Sequence, residues 1–171
     1  MIREFAKADG SIDQLFGNHT SIVSSLSTSN PTQVEQFYLN TVRRNWFWAN
    51  AVNALDPRLL ATATSRGWQF DGIKRFATRA SLSARMIVSA LSTDSKQPVI
   101  AVVPSDRPGI HFNQDWDNMG QRQTDSSSVT FEQVLVRPDE ILTSIYANDS
   151  PIASFLNVSK QLNHVNIYLD A

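Results

Sequence analysis

Three asparagines and two tryptophans stand within residues 45–53, the segment NWFWANAVN. Strand alternation places Trp46, Trp48 and Asn50 on one face of this segment, and small or apolar residues on the other. A buried side-chain amide without a hydrogen-bond partner costs about 1–3 kcal/mol, so the asparagines of such a strand need partners. A polar ligand is one such partner. The segment therefore predicts a strand whose polar and aromatic face could bind a ligand.

A second candidate for chemistry is His19, which falls in the apolar stripe of a predicted helix. The helix is expected to begin at a capping box formed by Ser11 and Gln14. A histidine in such a stripe is either a core residue with one satisfied nitrogen or a ligand-binding or catalytic group, and both interpretations stay open at this stage. The stripe has helical spacing and consists of Ile12, Leu15, Phe16, His19, Ile22, Val23 and Leu26.

Several kinds of active site are excluded or disfavoured by the residue types present. The chain has no cysteine, which excludes thiolate nucleophiles, disulfides and cysteine-ligated metals. No zinc-protease, phosphate-loop or serine-hydrolase motif occurs. The spacing of Asp115, Asp117 and Asp125 fits no calcium loop, so a solvated loop is predicted there, and the serines at 126–128 are predicted to satisfy turn backbone groups. No metal site is therefore expected.

Composition and charge indicate no macromolecular partner. The 15 basic and 16 acidic residues give a net charge of -1, which favours neither nucleic acid nor an anionic membrane. No apolar run approaches the length of a membrane helix, and the N-terminus lacks the apolar core of a signal peptide. A cytoplasmic location is the expectation that follows.

The elements that must position these residues begin with two helices. The second helix is expected to have Asn30 as its cap, Pro31 at its first position and its end near Arg44. Its buried side is predicted to consist of Val34, Phe37, Tyr38 and Val42.

From residue 59 onward, short apolar runs alternate with turn signals. Asp71 and Gly72 predict a hairpin turn. In the last run the alternation changes phase at residues 132–133, which predicts a β-bulge, and Pro138 ends the strand. Roughly seven or eight strands without a helical period between them predict an antiparallel barrel or sandwich. The runs cover residues 59–64, 68–70, 73–79, 86–91, 99–103, 110–113 and 129–136.

Residues 115–142, DWDNMGQRQTDSSSVTFEQVLVRPDEIL, resemble the end of the central β-domain in the acyl-CoA dehydrogenase superfamily, where a G-x-R turn precedes a V-x-F-x-x-V-x-V-P strand. The DWD-x-x-GQRQTDS form is similar to the flavin-dependent monooxygenase branch, the dibenzothiophene monooxygenase-like enzymes. Four further segments agree in order with that branch, namely AKADGSIDQLFGNH, RRNWFWANAVN, DGIKRFATRA and QLNHVNIYLDA. Arg79 and Ala80 depart from the pattern, because the branch usually has Gly followed by small residues there.

The resemblance implies an α+β fold in three parts. Residues 1–45 are expected to form the end of an N-terminal helical domain, residues 46–148 a central antiparallel β-barrel or sandwich domain, and residues 149–171 the start of a C-terminal helical bundle. Members of the superfamily are well over twice this length and form homotetramers. The chain is therefore expected to be a fragment that is inactive alone, with the main catalytic residue in the missing bundle.

The resemblance also implies an activity. Reduced flavin, supplied as FMN by a separate reductase, is expected to react with molecular oxygen and form a flavin hydroperoxide, which transfers one oxygen atom to a small sulfur or aromatic substrate. An FAD-dependent acyl-CoA dehydrogenase and a non-catalytic truncated remnant are the alternatives.

Site residues follow from the same resemblance. Thr78 matches a serine beside the reactive part of the flavin, and His19 becomes a candidate for the substrate pocket, so these two are the candidate catalytic residues. Trp48 and Trp116 are expected to exclude water from the reaction. The expected cofactor-binding residues are Asn45, Trp48, Asn50, Asn53, Phe76, Thr78 and Trp116.

Overall fold

The computed structural model describes residues 2–53 and 56–142, in which three α-helices precede a seven-stranded sheet. The fold class is α+β, as predicted. The expected C-terminal helix at residues 149–171 lies outside the described residues. The helices are α1 (Ile2–Ala8), α2 (Gly10–Ser25) and α3 (Pro31–Arg43), and the strands are β1 (Trp48–Ala51), β2 (Leu59–Thr64), β3 (Gly67–Lys74), β4 (Arg85–Ser92), β5 (Pro98–Pro104), β6 (Ile110–Phe112) and β7 (Val129–Val136).

Helix α2 is capped by Asp9 and not by the predicted box of Ser11 and Gln14. The Asp9 carboxylate accepts hydrogen bonds from the backbone N–H groups of Ser11 at 2.6 Å and Ile12 at 3.1 Å. Ser11 already lies inside the helix, so its N–H is one of the groups that need a cap. A carboxylate also interacts favourably with the positive end of the helix dipole, which a serine hydroxyl does only weakly.

Helix α3 begins and ends where the sequence predicts. The Asn30 side chain accepts from the Thr32 N–H at 3.0 Å, Pro31 occupies the first turn, and Arg44 is the C-terminal cap. The predicted buried side is wrong at Val42, which is 77% exposed. The helix packs against the core through the partly buried Phe37 and its neighbour Tyr38.

The sheet is mixed, whereas an antiparallel arrangement was expected. Its order is β1-β4-β2-β3-β7-β6, and β5 pairs with the other side of β4. Strands β1 and β2 both run parallel to β4, with Trp48 opposite Arg85 and Leu60 opposite Leu91. The other four pairs are antiparallel. Turn signals in the sequence identify strands that are consecutive along the chain. The two parallel pairs, β1 with β4 and β2 with β4, join strands that are not consecutive, so no turn signal predicts them.

The β-bulge predicted at residues 132–133 is confirmed, and it explains why the predicted Asp-Gly hairpin is wrong. Gly72 pairs with Phe131, and the two residues after Phe131 stand opposite the single residue Asp71. Gln133 has a φ of 50°, and its N–H donates to the Asp71 carboxylate at 3.1 Å. Strand β3 therefore continues through Asp71 and Gly72 beside the bulge.

Both faces of the sheet are buried at its centre. Strands β4 and β5 each contain five consecutive buried residues, which is the pattern of strands covered on two sides. On one face, apolar side chains from different strands pack against one another, among them Phe70, Met86 and Phe131. The opposite face packs against the helices and consists of Trp48, Ile87, Ile100 and Val102 with Ile22, Leu26 and Leu142.

Candidate functional site

Two loops lie side by side next to β1 and bring several predicted site residues together. The first loop (residues 75–84) joins β3 to β4, and the second loop (residues 113–128) joins β6 to β7. The Ala77 N–H donates to the Ser127 carbonyl at 3.0 Å, which ties the loops together. Asn50 of β1 forms an antiparallel bridge with Thr78 of the first loop. The backbone therefore places Asn50 and Thr78 next to each other.

The Thr78 hydroxyl belongs to a chain of hydroxyl groups that the sequence analysis did not find. Its Oγ1 lies 3.1 Å from the Ser126 Oγ, which lies 2.9 Å from the Thr124 Oγ1. The Thr124 hydroxyl donates to the Gln121 carbonyl at 2.9 Å. Thr78, Ser126 and Thr124 are all buried, with Thr124 fully so. We call these three residues the hydroxyl relay.

The serines at 126–128 make hydrogen bonds with side chains, so their predicted role with turn backbone groups is wrong. The Ser127 hydroxyl donates to the Asp125 carboxylate at 2.7 Å. The Ser128 hydroxyl and N–H both donate to the Asp115 carboxylate, at 2.6 Å and 2.7 Å. The two hydrogen bonds from Ser128 lower the pKa of Asp115. Two of the acidic residues predicted to lie in a solvated loop therefore brace the second loop.

A partly exposed aromatic pair lies at the edge of the loops. The Phe76 and Trp116 rings meet edge to face at a centroid distance of 6.3 Å, and Phe76 is 63% exposed. The Trp116 Nε1 donates to the Gln121 carbonyl at 3.0 Å, the same carbonyl that ends the hydroxyl relay. Aromatic faces of this kind stack on planar rings. Together with Asn50 and Thr78, the pair offers apolar ring surface beside polar groups.

Arg79 follows Thr78 and adopts the left-handed backbone conformation, with a φ of 56°. This conformation favours glycine and costs other residues about 1–2 kcal/mol, which accounts for the glycine usual at this position in the resembling enzymes. Its N–H donates to the Thr124 carbonyl at 3.0 Å, and its guanidinium donates to the Gln123 carbonyl at 3.2 Å. The side chain is thus held along the second loop.

His19 lies on α2, which packs against residues 122–124 of the second loop as well as against β1. Its Nδ1 accepts from the Trp48 N–H at 3.3 Å, and its ring stacks on Phe47 at 5.0 Å. An accepting Nδ1 carries no proton, so the neutral ring holds its proton on Nε2. Burial lowers the pKa of His19, which favours this neutral form.

The Trp48 side chain is buried in the core, so it has no exposed surface for the predicted cofactor contact. The side chain is 0% exposed, and its Nε1 donates to the Thr41 Oγ1 at 2.9 Å. Phe37 of α3 meets the Trp48 ring edge to face at 5.7 Å. The alternation of β1 directs this side chain into the core between sheet and helices.

Asn45 lies outside β1, which begins three residues later than the predicted strand. It is exposed and has a φ of 52°, in the turn that follows α3. Within the described part of the chain, no hydrogen bond joins Asn45 to the other predicted site residues.

Asn53 is held by a buried lysine that the sequence analysis missed. The Lys74 ammonium is 1% exposed and donates to the carbonyl oxygens of Asn53 at 2.7 Å and Asp56 at 3.0 Å. The Asn53 N–H donates to the Ser89 hydroxyl at 3.1 Å. Paired hydrogen bonds to Arg58 lower the pKa of Asp56 to about 2. This cluster fixes the end of the segment that carries Asn50.

The buried ammonium of Lys74 predicts a pH dependence of stability. Burial lowers the pKa of Lys74 to about 8 from its ordinary value of 10.5, although the Asp56 charge opposes the shift. Between these two values the unfolded chain binds more protons than the folded chain, so the free energy of unfolding is expected to rise with pH across that window. Urea unfolding of the wild type and of Lys74→Met, from pH 7.5 upward, gives the free energy of unfolding at each pH. The rise of this free energy with pH is expected to be steeper in the wild type. Equal slopes would contradict the prediction.

Two kinds of feature are missing from the described residues. No group of three His, Asp or Glu side chains in residues 2–53 and 56–142 is placed to hold a metal ion. No helix in the same residues combines the length and apolar character needed to cross a membrane.

Comparison with known proteins adds the following relationships. The family model described as acyl-CoA dehydrogenase, middle domain, matches residues 49–134. A probable FMNH2-dependent monooxygenase, SfnC of Pseudomonas putida, is 38% identical over 99% of this chain and 43% of its own length. The chain thus spans less than half the length of this relative.

Solved structures agree with the sequence relationships. Methanesulfinate monooxygenase MsuC from Pseudomonas fluorescens superposes with a TM-score of 0.79 at 43% identity, over 82% of this chain and 37% of that protein. The FMN-bound structure of TdsC, a dibenzothiophene monooxygenase from a Paenibacillus species, has a TM-score of 0.76 at 40% identity, over 82% of this chain and 38% of TdsC.

Proposed function

The chain belongs to the acyl-CoA dehydrogenase family, and from this premise we propose that it forms the flavin-contacting part of an FMN-dependent monooxygenase acting on a small sulfur compound. The observation that carries the proposal is the meeting of Asn50, Phe76, Thr78 and Trp116 at one pair of loops. Relatives over 82–99% of the chain are named as monooxygenases, and one of them binds FMN in its solved structure.

The residues present fit a flavin ring. A flavin has apolar faces and an edge of ring nitrogens and carbonyl oxygens. The exposed Phe76 ring and the partly buried Trp116 ring offer an apolar surface, and Thr78 offers a hydroxyl beside it. The Asn50 side-chain Oδ1 accepts from the Val52 N–H at 2.8 Å, which leaves the two N–H groups of the Asn50 side-chain amide as donors. This combination suits a planar ring with both donors and acceptors at its edge.

Reduced FMN, when bound, supplies two electrons and two protons, so that one atom of molecular oxygen goes to the substrate sulfur and the other leaves as water. Asn50 and Thr78 would orient the ring edge, and Trp116 with Phe76 would keep water from it. His19, neutral with its proton on Nε2, would donate a hydrogen bond to a polar substrate atom.

Further parts of the proposal concern the whole protein and the division of this chain. A separate reductase would supply the reduced FMN, because the relative SfnC is named as an FMNH2-dependent enzyme, one that uses flavin already reduced. The homotetramer and the cytoplasmic location stay predictions. The division into residues 1–45, 46–148 and 149–171 is likewise proposed, and the gap between Arg43 of α3 and Trp48 of β1 supports the first boundary.

Binding of FMN to the full chain tests the proposed function. Titration with reduced and oxidised FMN, followed by flavin absorbance and fluorescence, is expected to show saturable binding, and FAD is expected to bind more weakly. Trp116→Ala should weaken FMN binding about tenfold, since stacked aromatic pairs contribute roughly 0.5–1.5 kcal/mol beyond the area they bury.

Met119→Ala is the matched control for Trp116→Ala. Met119 is in the same loop but is fully exposed, so its removal should leave FMN affinity unchanged. Tight retention of FAD, with bleaching of its absorbance on addition of an acyl-CoA, would overturn the proposal in favour of a dehydrogenase.

A further inference from the structure

The hydroxyl relay has a direction that its hydrogen bonds determine. Each hydroxyl has one proton to donate and two lone pairs to accept with. The Gln121 carbonyl can only accept, so the proton in the 2.9 Å contact with Thr124 belongs to Thr124. Thr124 must then accept from Ser126, and Ser126 must accept from Thr78.

The opposite direction is unfavourable. It would leave the Thr124 Oγ1 and the Gln121 carbonyl oxygen 2.9 Å apart with no proton between them. Two facing acceptors at that separation repel, and Thr124 is too deeply buried for water to relieve the contact. The Thr78 proton therefore points toward Ser126, and the Thr78 lone pairs are left for a ligand.

We propose that Ser126 and Thr124 are positioning residues, which make Thr78 a hydrogen-bond acceptor toward the flavin and so favour the reduced over the oxidised form. The inference rests on the proposed function, since it requires flavin beside Thr78. A reduced flavin has an N–H on its central ring where the oxidised ring has a bare nitrogen. The N–H finds an acceptor in Thr78, whereas a bare nitrogen would meet the lone pairs of Thr78.

The test compares the affinities of the full chain for reduced and oxidised FMN, measured anaerobically by flavin fluorescence and absorbance. The wild type is expected to bind the reduced form more tightly. Thr124→Val and Ser126→Ala are each expected to reduce that preference about fivefold, the effect of one hydrogen bond. Thr124→Ser, which restores the hydroxyl, is expected to keep the preference.

Ser127→Ala is the matched control. It removes a neighbouring hydroxyl that is also buried but donates to Asp125 instead of to the relay, and it is expected to keep the preference. Thermal unfolding identifies any variant that does not fold. If Thr124→Val is such a variant, Ser126→Ala and Ser127→Ala decide the result.

Three outcomes would count against the inference. An unchanged preference in Thr124→Val and Ser126→Ala overturns it while the proposed function stands. An equal loss of the preference for reduced FMN in Ser127→Ala also overturns the inference, because removing any buried hydroxyl would then have the same effect. Failure of the wild type to bind either form of FMN overturns the proposed function and the inference together.

Discussion

Trp48→Ala is expected to lower the free energy of unfolding by about 3–5 kcal/mol, the usual cost of truncating a large buried aromatic residue. The Trp48 side chain is 0% exposed and lies where sheet and helices meet. The substitution removes an edge-to-face contact with Phe37 and leaves the Thr41 hydroxyl without its indole partner. Urea unfolding followed by circular dichroism measures the loss.

Trp48→Phe and Trp116→Ala are the controls for this prediction. Trp48→Phe keeps most of the ring and loses the 2.9 Å hydrogen bond, so it should cost less than Trp48→Ala. Trp116 is only partly buried, and its truncation should change stability little while weakening FMN binding. A Trp48→Ala variant with unchanged stability and weakened FMN binding would restore Trp48 as a cofactor contact.

Gly72→Ala is expected to destabilise the chain by about 3 kcal/mol or more, because backbone strain and a steric clash act at the same residue. Gly72 has a φ of 125°, a conformation that residues with a Cβ rarely adopt. A Cβ at this position would lie 2.1 Å from the Arg58 carbonyl oxygen. This oxygen belongs to the backbone just before β2, so it cannot move without disturbing the pairing of Leu59 with Gly72.

Gly17→Ala is the control, and it is expected to change stability in the opposite direction. Gly17 lies inside α2, and an added Cβ there would meet nothing within 4 Å. Alanine is the better helix former, so this variant should gain about 0.5–1 kcal/mol. Unfolding curves of both variants measured under the same conditions provide the comparison. If both variants lost a similar amount of unfolding free energy, the close approach at Gly72 would not be the cause of the destabilisation.

Local chemistry allowed parts of the fold to be predicted. Asn30 and Pro31 begin α3 because a side-chain cap and a proline act on the backbone within three residues. The bulge at residues 132–133 was visible because an extra residue changes the phase of strand alternation. Both signals depend on neighbouring residues alone.

Predictions failed where a local signal competed with a distant contact. Asp71 and Gly72 have the composition of a hairpin turn, yet Asp71 binds Gln133 of β7 and Gly72 packs on the Arg58 backbone. Trp48 lies in an aromatic run beside asparagines, and only its packing against α3 shows that it belongs to the core. No spacing within these segments distinguishes the two possibilities.

The candidate site shows the same division. Phe76, Thr78 and Trp116 were named from motifs, and the structure places them at the same pair of loops as Asn50. The site roles of Ser126, Thr124 and Lys74 were missed, because the Thr78 bond to Ser126 joins positions 48 residues apart and the Lys74 bond to Asn53 joins positions 21 residues apart.

The sequence by itself determined the types of the elements, several of their ends, and the motifs that indicate a flavin site. These depend on periodicity, capping and turn chemistry, which act over a few residues. The tertiary structure decided which side chains of β1 are buried, which buried groups hold Asn53, and which way the hydroxyl relay points. Each of these depends on a hydrogen-bond or packing partner brought close by the order of the strands, and that order leaves no periodic pattern in the chain.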